Sequence, residues 1–213
     1  MHRIASLLIV LCLCFILHSQ TPPVPPESIR HSLGKAGSPL NLEIFIDHLC
    51  PDSSAAYATV ASVLESWNKL HPDSLQLTVI VTSLPYHHNS WFAAKGGLLI
   101  QKILGDEAWF RWTEAIWKNQ DVFYNAPTAN MTANDVLSTM IATVPMIPAA
   151  TFLDHMMNDD ELEESMRVAW KYAESRSCWA TPLFYLNGVM IPMDSTATVA
   201  QWMTYLNSLS ISL

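Results

Sequence analysis

Basic residues are scarce in this chain. Lys and Arg together number 11 against 19 Asp and Glu, and the formal net charge is −8. An acidic surface repels phosphate backbones, because nucleic-acid binding depends on neutralising phosphates with Lys and Arg. The composition therefore argues against nucleic acid as the partner.

Cysteine is also scarce. The chain has four cysteines, of which Cys12 and Cys14 lie in an apolar N-terminal stretch, which leaves Cys50 and Cys178. Two cysteines do not make the multi-bridge framework of small secreted proteins. Either the two pair, or at least one is a free thiol with a role or a burial site of its own.

Apolar runs long enough to cross a membrane are absent beyond the first 20 residues. Those residues have a basic start, an apolar stretch over 4–17 and a polar end. This pattern predicts a signal peptide over residues 1–20, with an uncleaved signal anchor as the alternative. Residues 210–213 carry no retention signal. We therefore expect a secretory-pathway protein, luminal or secreted, with no stable membrane insertion after the leader is cleaved.

A glycosylation sequon, Asn130-Met131-Thr132, fits that destination. Such a sequon is reachable by the glycosylation machinery if the protein passes through a eukaryotic secretory lumen. Asn130 is the candidate glycosylation site.

The order of elements predicts the fold. A buried strand over 42–46, a helix that starts at Pro51 and a strand over 75–81 come first. Helical periodicity follows from residue 91 to about 157, and then a helix, a hairpin at Asn187-Gly188 and a closing helix complete the chain. Strand–helix–strand implies parallel pairing with a crossover. The order predicts an α/β thioredoxin fold, a central mixed β-sheet flanked by helices, with an inserted helical domain.

The predicted organisation follows from these elements and from composition. The segments are a signal peptide (1–20), a Pro/Ser/Gly-rich linker (21–40) with room for a short edge strand near 28–33, the first half of the thioredoxin fold (41–86), a helical insertion (87–157) and the second half of the fold (158–209).

Cys50-Pro51-Asp52-Ser53 stands where the first strand turns into the first helix. There the unpaired N–H groups and the positive end of the helix dipole stabilise a thiolate. A thiolate is the nucleophile that attacks disulfides. Cys50 is the candidate catalytic residue, and a relic thiol in a protein that only binds polypeptides is the alternative.

Three motifs carry a family resemblance. They are Phe45-Ile-Asp-His-Leu-Cys-Pro-Asp-Ser53, Leu84-Pro-Tyr-His-His-Asn89 and Ala180-Thr-Pro-Leu-Phe-Tyr-Leu-Asn-Gly188. Over residues 41–209 the chain resembles the DsbA-like proteins of the thioredoxin superfamily, and within them a eukaryotic branch with Cys-Pro-Asp-Ser in place of Cys-x-x-Cys. The resemblance implies that Thr181-Pro182 is a cis peptide that faces Cys50 and shapes the groove where a substrate backbone docks.

Ser53 departs from the family pattern. A dithiol enzyme has its second cysteine at this position, where it breaks the mixed disulfide. The Ser53 hydroxyl can hydrogen-bond a thiolate at Cys50 but cannot displace a partner's sulfur. What remains is monothiol chemistry: capture and release of mixed disulfides, isomerisation, or exchange with glutathione as the resolving thiol.

Other residues near Cys50 are candidates for lesser roles. His48 and Asp52 are candidate modulators of the thiol. Cys178 is a candidate resolving thiol because it lies just before Thr181, and a small buried hydrophobe is the alternative. His87 and His88 match no zinc spacing, so we expect no metal site and interpret them as loop or groove-lining residues.

Three functions remain open from the sequence. The first is monothiol thiol–disulfide exchange on thiol- or disulfide-containing polypeptides, with no required cofactor and glutathione as a candidate co-substrate. The second is a non-catalytic module that holds a client or partner chain around Pro182. The third is a glutathione-dependent transferase or isomerase.

Overall fold

The computed structural model describes Val24 and residues 29–209. The predicted signal peptide and most of the first part of the predicted linker lie outside the described residues. The strands are β1 (His31–Leu33), β2 (Leu40–Ile46), β3 (Leu75–Val81), β4 (Leu183–Leu186) and β5 (Val189–Ile191). The helices are α1 (Pro51–Leu70), α2 (Ser90–Leu104), α3 (Asp106–Lys118), α4 (Gln120–Phe123), α5 (Ala133–Thr143), α6 (Ala149–Asn158), α7 (Asp160–Ser175) and α8 (Val199–Ser208).

The strands form one mixed sheet in the order β1-β3-β2-β4-β5. β2 and β3 pair in parallel, because α1 carries the chain back between them, and the other neighbours pair antiparallel. Helices α2 to α6 are inserted between β3 and the second half of the sheet. The predicted thioredoxin fold with a helical insertion is confirmed.

The last three residues of each central strand, 44–46 in β2 and 79–81 in β3, are buried on both faces, which explains why these parts are continuously apolar. Leu42 and Ile44 of β2 point into the large core, to which α1 and α8 also contribute. Phe45 of β2 points to the opposite face, where it packs with Tyr185 of β4 and with Cys178 after α7. The alternating side chains of β2 therefore tie the two layers of helices to one sheet.

Helix α4 was not predicted from the sequence. It has four residues, too few for an apolar period to show. The final helix begins at Val199, directly after Thr198, which is its N-cap residue and forms a capping box with Gln201. No described helix is both long and apolar enough to cross a membrane.

Two adjacent glycines bring α2 and α3 together. A Cβ at Gly96 would meet Cζ2 of Trp112 at 2.6 Å, and one at Gly97 would meet Nε1 of Trp109 at 3.1 Å. The indole Nε1 of Trp112 donates to the carbonyl of Ala93, at 2.9 Å. The indoles of α3 thus lie directly on the backbone of α2, and only glycine leaves them room.

We expect Gly96→Ala to destabilise the protein by about 1–3 kcal/mol, because the buried indole must shift. Replacing an unobstructed helical glycine by alanine has the opposite sign, a gain of about 0.5–1 kcal/mol. Urea unfolding measures the difference, and a more stable variant would contradict the close packing.

Candidate functional site

Cys50 is the N-cap residue of α1, and Pro51 follows it in the first turn. This is the placement predicted from the sequence. The side chain does not cap the helix. Instead Sγ donates a hydrogen bond to the carbonyl of Thr181, at 3.3 Å, and Cys50 is 5% exposed.

The peptide bond between Thr181 and Pro182 is cis, as the resemblance implied. The hydrogen bond between Cys50 and Thr181 brings the loop before β4 onto the start of α1. The hydroxyl Oγ1 of Thr181 is buried without a hydrogen-bond partner among the described residues. The structure therefore brings Cys50, Thr181 and Pro182 together, while their chemical roles stay predictions.

Ser53 is fully buried, and its Oγ accepts the backbone N–H of Asp47 at 3.2 Å. Among the described contacts, no hydrogen bond joins Ser53 to Sγ of Cys50. The hydroxyl thus ties the first turn of α1 to the end of β2. The predicted interaction of Ser53 with a thiolate at Cys50 stays a prediction.

Asp47 is the residue that sequence analysis missed. Its side chain is fully buried at the end of β2. Oδ1 accepts from the N–H of Leu49 (2.7 Å) and the hydroxyl of Ser90 (2.6 Å). Oδ2 accepts from the N–H of Leu84 (2.8 Å) and Nδ1 of His87 (3.0 Å). One carboxylate therefore holds together the turn before Cys50, the loop after β3 and the start of α2.

A cavity of about 280 Å³ lies beside the Cys50 turn and is lined in part by Leu49, Pro51 and His87. With Nδ1 held by Asp47, His87 presents its ring to this space. Partial burial and the nearby Cys50 and Asp47 raise the pKa of the Tyr86 hydroxyl above its ordinary value. The sequence predicted that His87 is a loop or groove-lining residue. Its position in the Leu84–Asn89 motif is the sequence feature that pointed to this site.

The helical insertion contributes the opposite wall. Nε2 of Gln120 donates to the carbonyls of His48 (2.8 Å) and Cys50 (3.2 Å). The hydroxyl of Tyr124 donates to Oε1 of Gln120 at 3.2 Å. Nδ2 of Asn125 donates to the carbonyl of Tyr86 at 2.8 Å. No sequence signal identified these residues, because they lie in and after the short α4.

His48 and Asp52 lie in contrasting surroundings. The His48 ring is buried, with Nε2 2.9 Å from Oγ1 of Thr113 in α3. Burial lowers the pKa of His48 to about 4, against an opposing effect of Asp47, so the ring is neutral near pH 7. Asp52 is exposed in the first turn of α1. Their effect on the Cys50 thiol stays a prediction.

Cys178 is a free thiol, as is Cys50. It is buried against Phe45 and Tyr185 on the second face of the sheet. Burial, with a smaller effect of Glu174, raises the pKa of Cys178 to about 12. A thiol that stays protonated is a weak nucleophile, so any resolving role would first require a rearrangement that exposes it.

Two further predictions from the sequence concern the glycosylation of Asn130 and metal binding. Asn130 is exposed, while the Thr132 hydroxyl of its sequon caps α5 by pairing with Asp135. Among the described residues, no group of three or more His, Cys, Asp or Glu side chains is placed to hold a metal ion. Glycosylation of Asn130 stays a prediction.

Several solved structures share this fold. A candidate protein-disulfide isomerase from Pseudomonas syringae aligns with a TM-score of 0.72 at 22% identity, covering 83% of this chain and 97% of its own. The thiol-disulfide exchange protein alpha-DsbA2 from Wolbachia pipientis aligns with a TM-score of 0.61 at 14% identity, covering 86% and 91%. DsbA from Chlamydia trachomatis aligns with a TM-score of 0.62 at 14% identity, covering 88% and 93%.

No protein-family model matches the sequence, and no curated protein matches it significantly. At these identities the likenesses establish the fold alone, which is of the DsbA-like type: a thioredoxin sheet with an inserted helical block.

Replacing Asp47 by Asn should destabilise the protein by about 1–3 kcal/mol. Each carboxylate oxygen accepts one backbone N–H, from Leu49 or Leu84. Whichever way the amide turns, its NH₂ group faces one of these donors and leaves it unpaired. Chemical unfolding measures the loss. Asp52→Asn removes the same charge from an exposed site, and an equal loss in that control would contradict the assignment.

Stability should fall as the pH drops below about 6.5. Burial, with a smaller effect of His48, lowers the pKa of His31 to about 3. Below about pH 6.5 this histidine binds a proton in the unfolded chain, whereas in the folded chain it stays neutral down to about pH 3. The free energy of unfolding therefore falls by up to about 1.4 kcal/mol per pH unit because of His31.

His31→Phe tests this expectation. The His31 ring stacks on Trp109 at 3.6 Å between centroids, and both its nitrogens lack partners among the described residues. Phenylalanine preserves the stacking and removes the titrating group. Urea unfolding at about pH 7 and pH 5 should show a smaller drop in the variant than in the wild type. An equal drop would show that His31 does not oppose protonation of the folded state.

Proposed function

We propose that this chain is a secretory-pathway thiol–disulfide exchange protein of the monothiol type, acting through Cys50. The observation that carries the proposal is the position of Cys50: the N-cap of a 20-residue helix, with Sγ 3.3 Å from the carbonyl of Thr181 beside cis-Pro182. A sulfur at a helix N-terminus is placed to react as a thiolate.

The exchange step needs no external oxidant. The Cys50 thiolate attacks one sulfur of a partner disulfide, that S–S bond breaks, and a new bond joins Cys50 to the partner. The other partner sulfur leaves as a thiolate and takes a proton from solvent. One disulfide is consumed and one is formed, so the step is balanced.

Release of the partner requires a thiol from outside the Cys-Pro-Asp-Ser motif. Ser53 cannot supply it, and its oxygen is engaged with the N–H of Asp47. Cys178 is buried, and its pKa is raised to about 12. In this proposal one of two thiols displaces Cys50 from the mixed disulfide. A second cysteine of the partner does so and thereby isomerises the partner's disulfides, or glutathione does so as co-substrate.

The partners in this proposal are thiol- or disulfide-containing polypeptides. The printed names of the Pseudomonas and Wolbachia proteins, disulfide isomerase and thiol-disulfide exchange protein, support that substrate class. The signal-peptide pattern supports a luminal or secreted location, where disulfides persist. The Cys-Pro-Asp-Ser sequence is the mark of the eukaryotic branch that the chain resembles.

A second candidate is a non-catalytic module that binds polypeptides around Pro182. The specific observation in its favour is the burial of Cys50, which is 5% exposed, next to a segment where Trp179 is 74% exposed. An exposed indole beside a docking loop contributes to binding without thiol chemistry. Thiol dependence distinguishes the two candidates.

We expect the secreted protein to form a mixed disulfide with a small disulfide such as 5,5′-dithiobis(2-nitrobenzoic acid), faster than a free cysteine does at about pH 6. Cys50→Ser should abolish the reaction, and Cys178→Ala should leave it unchanged. The released thiolate absorbs light and gives the rate directly. A wild-type rate no higher than in Cys50→Ser would leave the binding module as the function.

Ser53→Cys should convert the site to a dithiol. The new thiol would stand at the position from which a resolving cysteine breaks the mixed disulfide, so the small thiol should be released twice for each protein instead of once. Ser54→Cys, one residue further along α1, is the matched control. Each of its two thiols should react with a separate reagent molecule and keep a mixed disulfide, so mass spectrometry should show adducts on the control and none at Cys50 in Ser53→Cys. Failure of Ser53→Cys to clear the mixed disulfide would contradict the proposed role of position 53.

A further inference from the structure

His87 lines a second, larger cavity, which we call the α7 groove. Its volume is about 510 Å³, and it lies between the loop after β3, the start of α2 and one face of α7. The lining residues that matter here are Pro85, His88, Trp91, Arg167, Trp170 and Lys171. Because His87 also lines the cavity beside the Cys50 turn, the two spaces share a wall.

The groove has an apolar surface with no partner among the described residues. Trp170 is 39% exposed and lies at the edge of the buried stripe of α7, which Met166, Ala169 and Ala173 form. Trp91 lies across the groove at the start of α2. Indoles at a partly open site supply large contact areas with little loss of side-chain entropy, and they are enriched where chains bind.

The charge of the groove opposes that of the whole chain. Arg167 and Lys171 line the groove together with Trp170. The two basic residues are four apart and so are neighbours on the helix surface, in a chain with a net charge of −8. Arg167 pairs with Glu163 at 3.3 Å and Lys171 pairs with Glu164 at 3.8 Å, and the two basic side chains are 56% and 51% exposed. Ion pairs of such exposed cations are weak. Partner carboxylates can replace such contacts.

The groove is tied to the Cys50 site through one loop. Leu84 lines the groove, and its N–H donates to Oδ2 of Asp47, which also holds His87. A chain whose cysteine reaches Cys50 can therefore continue over His87 into the groove. This continuity connects binding in the groove to the residues that flank the reacting cysteine.

We propose that the α7 groove binds the part of the client polypeptide next to the cysteine that pairs with Cys50, and that it favours segments in which carboxylates flank an aromatic side chain. The aromatic ring packs between Trp91 and Trp170, and the carboxylates pair with Arg167 and Lys171. This inference rests on the proposed function, because it names the substrate class of the same site.

Binding can be measured without the covalent step. The Cys50→Ser protein is titrated against three fluorescein-labelled peptides that share one alanine in place of cysteine and differ only in a flank of Glu-Phe-Glu, Gln-Phe-Gln or Lys-Phe-Lys. Fluorescence anisotropy gives each Kd. We expect the acidic peptide to bind about fivefold or more tightly than the neutral one, and the difference to shrink at high salt.

Variants locate the binding. The double change Arg167→Gln with Lys171→Gln should remove the acidic preference, and Trp170→Ala should weaken all three peptides about tenfold. Lys69→Gln and Leu70→Ala are matched controls at the far end of α1, where both side chains are exposed, and they should change nothing. Circular dichroism shows that each variant is folded. The same substitutions are also made in the chain that keeps Cys50, where reaction with the small disulfide shows that the thiol site is intact.

Equal binding of the three peptides, or unchanged binding in the groove variants, would overturn the inference. Free glutathione could displace the labelled acidic peptide at a far lower concentration than the unlabelled peptide does. That result would also overturn the inference, because it would identify the groove as a site for a small anionic thiol. If Cys50 proves unreactive while the acidic peptide still binds in the groove, the proposed exchange fails and the groove remains a polypeptide site.

Discussion

The buried carboxylate of Asp47 is the constraint on which the candidate site depends. It accepts hydrogen bonds from the turn before Cys50, from the loop after β3 and from Ser90 at the start of α2. A buried charge is tolerated only when donors surround it, so the segments that supply the donors are fixed relative to one another. The sheet, α1 and the helical insertion therefore meet at a defined geometry around Cys50.

The helical insertion does more than cover the sheet. Gln120 donates to two carbonyls of the Cys50 turn, and Asn125 joins the insertion to the loop that carries Tyr86 and His87. Behind this wall, Trp109 and Trp112 pack on the glycines of α2. The close helix packing thus holds the residues that complete the cavity beside Cys50.

A second buried carboxylate fixes the other half of the site. Glu43 of β2 pairs with Arg30 at 3.1 Å and with Arg176 at 3.5 Å. Arg176 is the residue directly after α7. Its guanidinium lies 4.5 Å over the ring of Tyr185 and donates to the carbonyl of Gly188. These contacts hold the end of α7 against β2 and the β4–β5 hairpin, and so they fix the loop that presents Thr181 to Cys50.

The sequence by itself determined the elements and the place of the thiol. Apolar periodicity, Pro51 at a helix start and Asn187-Gly188 in a turn are local signals, so they predicted the order of strands and helices and put Cys50 at the N-terminus of α1. Only the tertiary structure decided which side chains surround Cys50. Asp47 and Gln120 carry no local signature, since their partners are distant in the chain, and the α7 groove exists only where α2 and α7 come together. Hydrogen bonds and cavities between distant segments depend on packing, which periodicity does not encode.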